Sequence, residues 1–326
     1  MTSSGDSQPV SRVPEFLRGV LPVLLTPFHD DGRVDLGGMA TVAGNVLSAG
    51  VPSVMYPGYA SEFYRLSDRE RVELTRTVVD VAAERGASVI QSVSEQATVL
   101  AVDAARRAVE GGCAAVNVLA PTTLGGDSGQ VRAHLSAVLR ACAPLPAVIQ
   151  HAPALTGSTL TLDDLRRLAE ECSNLVAVKV ETLPAGPTVS ALTAIAPELG
   201  ALVGYGGLHL VDALERGACG VQPGSSFVEI YQRIWDAWTA GDRTTAGKLH
   251  AALVPYLAYW MQDVRIVVQV EKLIARRRGW IASDHCRAPD RPLDDHERRV
   301  VDRFLSQFED TLQPGQRLHR RRRDPR

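Results

Sequence analysis

Short apolar runs that read as β-strands alternate with amphipathic helical stretches eight times along residues 20–240, and nothing else in this chain narrows its fold as far. The predicted pairs are 20–28 with 36–49, 51–57 with 67–85, 88–93 with 97–110, 114–120 with 128–142, 146–151 with 161–172, 175–180 with 186–196, 201–205 with 208–216, and 220–222 with 227–240. Ser67, followed by Asp68 and Glu70, reads as a helix N-cap, while Gly50, Gly86, Gly111 and Gly217 read as residues that close helices. Eight strand-helix units at this spacing predict a (β/α)8 TIM barrel. A doubly wound open sheet is the alternative, but no G-x-G-x-x-G follows the first strand. Helical stretches at 244–262, 264–278 and 294–312 exceed what a barrel needs and predict additional C-terminal helices packed on its side. The expected organisation is a flexible N-terminal segment 1–18, a barrel 19–242, a helical appendage 243–312 and a basic disordered tail 313–326.

Composition excludes several classes of partner. The 326 residues carry 35 basic and 37 acidic side chains for a net charge of -2, so no global field favours nucleic acid or a membrane surface. The run Arg317-Leu318-His319-Arg320-Arg321-Arg322-Arg323 is the one basic cluster, and it reads as a solvated terminus. Cys113, Cys142, Cys172, Cys219 and Cys286 form no C-x-x-C pair and are expected as buried reduced thiols with no zinc site. Without a signal-peptide pattern or a run of transmembrane length, a cytoplasmic protein is expected.

Among only three lysines, Lys179 stands apart: it ends the apolar run Leu175-Val176-Ala177-Val178-Lys179-Val180. A lysine kept on a buried strand in an arginine-rich chain points to chemistry that needs a primary amine, namely Schiff-base formation with a carbonyl. Lys248 and Lys272 fall in helical patterns where a cation normally points to water. Barrel enzymes carry their reactive groups at the carboxyl ends of the strands. Those ends hold Tyr56 to Glu62, Ala120-Pro121-Thr122-Thr123, Gln150-His151-Ala152-Pro153, Lys179-Val180-Glu181, Gly204-Tyr205-Gly206-Gly207 and Gln222-Pro223-Gly224-Ser225-Ser226. Strand alternation places Ala177, Lys179 and Glu181 on one face. Glu181 then has two readings, as a neutralising ion-pair partner or as an acid/base group at the rim.

These features together resemble the dihydrodipicolinate synthase and N-acetylneuraminate lyase family of class I aldolases. The resemblance rests on Gly19 to Phe28 with Asp31-Gly32 and Asp35, on Leu66-Ser67-Asp68-Arg69-Glu70-Arg71, on Pro153 with Thr156-Gly157, and on the strand-six lysine. It implies that Lys179 forms the imine with a 2-oxo acid, without metal or organic cofactor, in a homo-oligomer (dimer or tetramer). Several positions depart from the family pattern. Its G-T-T-G-E stands here as Gly58-Tyr59-Ala60-Ser61-Glu62, which leaves Ser61 as the nearby hydroxyl for a substrate carboxylate. Its strand-five Y-N-x-P stands as Gln150-His151-Ala152-Pro153, and an amide cannot relay protons as a phenol does. The fourth-strand tyrosines correspond to Thr122-Thr123, and the arginine that captures an aldehyde carboxylate in the synthases is replaced by Leu155.

The resulting candidates are Lys179, His151, Tyr59 and Glu181 for catalysis, and Gly58, Ala60, Ser61, Gln150, Thr122, Tyr205 and Gln222 for substrate binding. His151 titrates near neutral pH and ends the strand beside the lysine's, yet its parity is opposite to that of Gln150. Tyr56, Tyr59 and Tyr205 are alternative phenols. The expected activity is that of a Schiff-base lyase, an aldolase or dehydratase of a 2-oxo acid such as pyruvate or a 2-keto-3-deoxy acid, distinct from dihydrodipicolinate synthase proper. Two other readings stand beside it. The glycine- and serine-rich loops after strands seven and eight fit a phosphate-binding barrel without an imine, and the lost relay fits a non-catalytic 2-oxo acid-binding paralogue.

Overall fold

The β-branched and small residues of the predicted strands pair into a parallel ring, and the amphipathic stretches between them wrap it. The computed structural model describes residues 11–122 and 127–312; Thr123, residues 1–10 and the basic tail lie outside the described residues. The strands are β1 (Gly19–Val20), β2 (Ser53–Met55), β3 (Ser88–Val93), β4 (Ala115–Leu119), β5 (Ala147–His151), β6 (Leu175–Val180), β7 (Gly200–Val203) and β8 (Gly220–Val221). Their order runs β1-β8-β7-β6-β5-β4-β3-β2, and a parallel bridge from Val23 to Met55 draws β1 and β2 together to close the ring. The first strand is much shorter than the predicted 20–28. Phe28 instead bridges Val34 in antiparallel fashion to turn the chain into the first helix.

The helices are α1 (Leu36–Ser48), α2 (Asp68–Glu84), α3 (Thr98–Glu110), α4 (Ser128–Cys142), α5 (Pro153–Thr156), α6 (Leu162–Glu171), α7 (Ala185–Ile195), α8 (Leu210–Glu215), α9 (Val228–Thr239), α10 (Arg243–Trp260), α11 (Val264–Arg277), α12 (Asp295–Gln307) and α13 (Glu309–Leu312). Reciprocal capping boxes start α2 at Ser67 with Glu70, α6 at Thr161 with Asp164, and α12 at Asp294 with Glu297, each satisfying backbone N–H groups that the first turn leaves free. After α3 the left-handed turn falls on Gly112 (φ 79°) and not on Gly111. Every predicted strand and helix has a counterpart, and the C-terminal helices lie where expected.

Residues 11–18, expected to be flexible, are built into the barrel. Val13 and Leu17 are buried with the interior residues, and Arg12 bonds to the Glu198 and Ala169 carbonyls. All five cysteines are free thiols; four are buried and Cys219 is half-buried.

The barrel interior is layered. Neighbouring strands of an eight-stranded barrel climb by about one residue each, so side chains at one height come from alternate strands. Carrying the observed register around the ring on that rule gives an apolar layer of Leu21, Ile90, Val148 and Leu202, all fully buried. Directly above it lie Met55, Asn117, Lys179 and Gln222 from the even strands. Val23, Ser92, Gln150 and Gly204 from the odd strands form the next layer, toward the carboxyl ends. The interior layer beneath the lysine is therefore wholly apolar, and polar side chains enter from the lysine's layer upward.

Candidate active site

Lys179 is 5% exposed, and its Nζ lies 3.1 Å from Oε1 of Glu181. Glu181 follows β6 by one residue and accepts from Nε2 of Gln150 at 2.7 Å through its other oxygen. Gln150 shares register with Lys179 on the neighbouring strand, which brings the amide to the carboxylate. Because a carboxylate accepts only, Gln150 must present its N–H, and its carbonyl then faces Asn117, which donates from Nδ2 at 3.0 Å. Asn117 Nδ2 also reaches Ser92 Oγ at 3.2 Å, so a polar chain runs from β3 across the barrel to the lysine. A side chain on Gly204 would collide with Cγ and Oε1 of Glu181; glycine there lets the carboxylate lie against β7.

Tyr205 follows Gly204 with φ 47°, a left-handed conformation uncommon for a non-glycine residue. Burial, and secondarily the nearby Glu181 charge, push its phenol above the usual tyrosine range, so it stays protonated and able to donate at neutral pH. Gln222, inward-facing on the strand beyond, is 2% exposed. The structure thus brings Lys179, Glu181, Gln150, Tyr205 and Gln222 to one mouth, with Gly58 close against Val23 and Met55 on the opposite wall.

The remaining predicted residues are placed otherwise. His151 has the parity of Ile149, which packs in the outer core under the helices, so its ring faces away from Lys179. Burial also lowers its pKa. Ser61 is buried with its hydroxyl spent, donating to the Leu24 carbonyl and accepting from Gly58 N–H at 2.9 Å. It knits the second loop to the segment that follows β1. Thr122 is exposed, and both its N–H and its hydroxyl reach Gln96 Oε1, at 2.8 and 3.0 Å. Tyr59 packs with Phe63 and Tyr64 at ring distances of 6.0 and 5.7 Å, beside half-buried Ala60, and burial raises its pKa. Tyr56 is buried in the outer core with its hydroxyl 3.0 Å from Thr26 Oγ1.

Lys272, expected in water, is fully buried. Its ammonium pairs with Glu62, donates to the His285 carbonyl at 2.8 Å and lies 4.2 Å from the centre of the Phe28 ring. Glu62 also accepts from Arg65 at 2.6 Å. The loop after β8, read as a possible phosphate cradle, is already filled from within. Ser225 and Ser226 donate their N–H groups to Oε2 of buried Glu271 at 2.9 and 2.7 Å, and a side chain on Gly224 would strike that carboxylate.

A comparison with known proteins extends this picture: the family model described as "Dihydrodipicolinate synthetase family" matches residues 16–308. The chain belongs to that family. This family member is 28% identical over 277 residues to L-2-keto-3-deoxyarabonate dehydratase of Azospirillum brasilense, covering 83% of this chain and 88% of that one. It is 26% identical to the probable 2-dehydro-3-deoxy-D-pentonate aldolase YjhH of Escherichia coli (strain K12), covering 76% and 83% of the two chains. Its fold superposes on the crystal structure of dihydrodipicolinate synthase from Rhodopseudomonas palustris with a TM-score of 0.83 at 25% identity, covering 91% and 99%. The protein is an enzyme of this family's lyase class. No helix among the described residues is long and apolar enough to cross a membrane.

Asn117 escaped the sequence reading. Its signal was available, since it is the lone polar residue of β4, Ala-Val-Asn-Val-Leu, and lies at inward parity.

Proposed function

We propose that this protein is a Schiff-base lyase, cleaving or dehydrating a 2-oxo acid such as a 2-keto-3-deoxy acid through an imine on Lys179. The observation that carries the proposal is the Lys179–Glu181 contact at 3.1 Å, with Glu181 held from its far side by Gln150. Glu181 takes the ammonium proton, freeing the amine to attack the C2 carbonyl. It returns that proton to the carbinolamine oxygen, which departs as water. The resulting iminium withdraws electrons from C3; for dehydration Glu181 removes a proton there and passes it to the C4 hydroxyl, which leaves as water, and for cleavage it accepts the C4 hydroxyl proton as the C3–C4 bond breaks. Tyr205 donates to Glu181 or to the substrate at the rim. Gln150, which cannot transfer protons, fixes the carboxylate in place of the family's phenol. Leu155, half-buried in α5, offers no charge to an aldehyde carboxylate, which disfavours dihydrodipicolinate synthase chemistry.

Sodium borohydride with pyruvate or a 2-keto-3-deoxy acid should add one reduced ligand at Lys179, read by intact mass and peptide mapping. An adduct undiminished in Lys179→Arg would sink the mechanism. Sites at Lys248 or Lys272 would do the same.

A further inference from the structure

The lysine's own layer contains hydrogen-bonding capacity that the protein does not use. Gln222 is 2% exposed, and neither its Nε2 nor its Oε1 has a partner in the protein. Asn117, fully buried, spends Nδ2 on Ser92 and Gln150, and its Oδ1 is left without one. The direction of that network follows from the Glu181 carboxylate, so Asn117 must offer an acceptor. Both residues stand at the height of Lys179, on the fourth and eighth strands, flanking the sixth two strands away on either side. Buried polar atoms left unpaired destabilise the free protein, and one whole amide and one amide oxygen in a single layer beside a buried amine form a recognition surface.

Resting on the imine reading above, we propose that Asn117 and Gln222 form a hydroxyl-reading subsite for the substrate. Two acceptor oxygens facing one NH2 group do not suit a carboxylate, which would set its charge against both carbonyl oxygens. A hydroxyl both donates and accepts, and satisfies them. That hydroxyl comes either from the carbinolamine at C2, present with every 2-oxo acid, or from the substrate's own chain, present only in hydroxylated acids. A site built to pair a substrate hydroxyl discriminates strongly against ligands lacking it, because its buried groups then stay unpaired.

The test compares the rate and half-saturation of borohydride trapping at Lys179 in wild type, Gln222→Leu, Gln222→Met and Asn117→Leu, each with pyruvate and with a five-carbon 2-keto-3-deoxy acid. Loss of one such hydrogen bond should weaken trapping about tenfold or more. A fall with both ligands assigns the subsite to the carbinolamine hydroxyl; a fall confined to the hydroxylated acid assigns it to the chain. Melting temperature should rise in ligand-free Gln222→Leu and Gln222→Met, since an unpaired buried amide has been removed, and a merely structural amide would lower it; Asn117→Leu also strips Gln150 and Ser92 of their donor and is read by trapping alone. Trapping unchanged with both ligands would overturn the subsite while leaving the imine intact. Absence of any wild-type adduct at Lys179 would overturn the imine reading, and the subsite with it.

Discussion

Two buried lysines in this molecule are paired with glutamates, and their surroundings are opposite in kind. Lys272 is enclosed on every side by Glu62, the His285 carbonyl and the face of Phe28, so its charge is satisfied and its nitrogen is out of reach. Lys179 has Glu181 on one side, and its own layer holds Asn117 and Gln222, whose amides the protein leaves partly or wholly unpaired. Burial and a glutamate partner therefore do not by themselves define a lysine's surroundings. What separates the two is whether the neighbouring polar groups are already satisfied.

Replacing each lysine in turn should separate the regions most sharply. Lys179→Arg is expected to abolish both turnover and the reduced adduct while its melting temperature stays near wild type, because arginine keeps the charge but forms no imine. Lys272→Met should do the reverse. It leaves Glu62 short of a partner in a dry site and should cost about 3–5 kcal/mol in denaturant unfolding, with the adduct at Lys179 still forming in the folded fraction. Glu181→Gln should lower turnover by roughly 10² to 10⁴ and slow trapping without moving it from Lys179; near wild-type turnover would remove Glu181 from the relay. Tyr205→Phe should cost less, about tenfold, whereas His151→Asn, facing away, should stay within about twofold of wild type. A larger loss in His151→Asn than in Tyr205→Phe would reverse that ranking.

The smallest effect concerns acid. Arg287 holds the Glu70 carboxyl down at about 2, and Arg291 does the same for Glu297, so both sit below their unfolded value of 4.5. Stability from these pairs is complete above that unfolded value and is lost as pH falls through the folded one. Melting temperature should therefore decline between about pH 4.5 and 2, and Arg287→Leu should flatten part of that decline.

Much of this was legible in the residues. The strand-helix alternation and the capping residues carry local signals, and the parity that joins Lys179 to Glu181 and excludes His151 follows from a period of two. Long-range partnership was not legible. Lys272 looks solvent-facing because a helical pattern gives no hint that Glu62, from the far side of the chain, will meet it. Ser61 looked like a free hydroxyl because the Leu24 carbonyl that engages it lies 37 residues earlier, in the segment after β1. Each miss is a polar side chain whose role is set by a contact remote in sequence.

The segment between α11 and α12 has a consequence for how the protein is made. Arg287 bonds to the Gly32 and Arg65 carbonyls as well as to Glu70, and Ser283 bonds to Asp30, so this late stretch fastens the turns that follow the first two strands. During synthesis the early strands leave the ribosome long before these fasteners exist. The mouth of the barrel is therefore completed last and from the wrong end of the chain. A nascent polypeptide halted before α11 would carry every strand and Lys179, yet its second loop, with Glu62 still waiting for Lys272, would lack its lock.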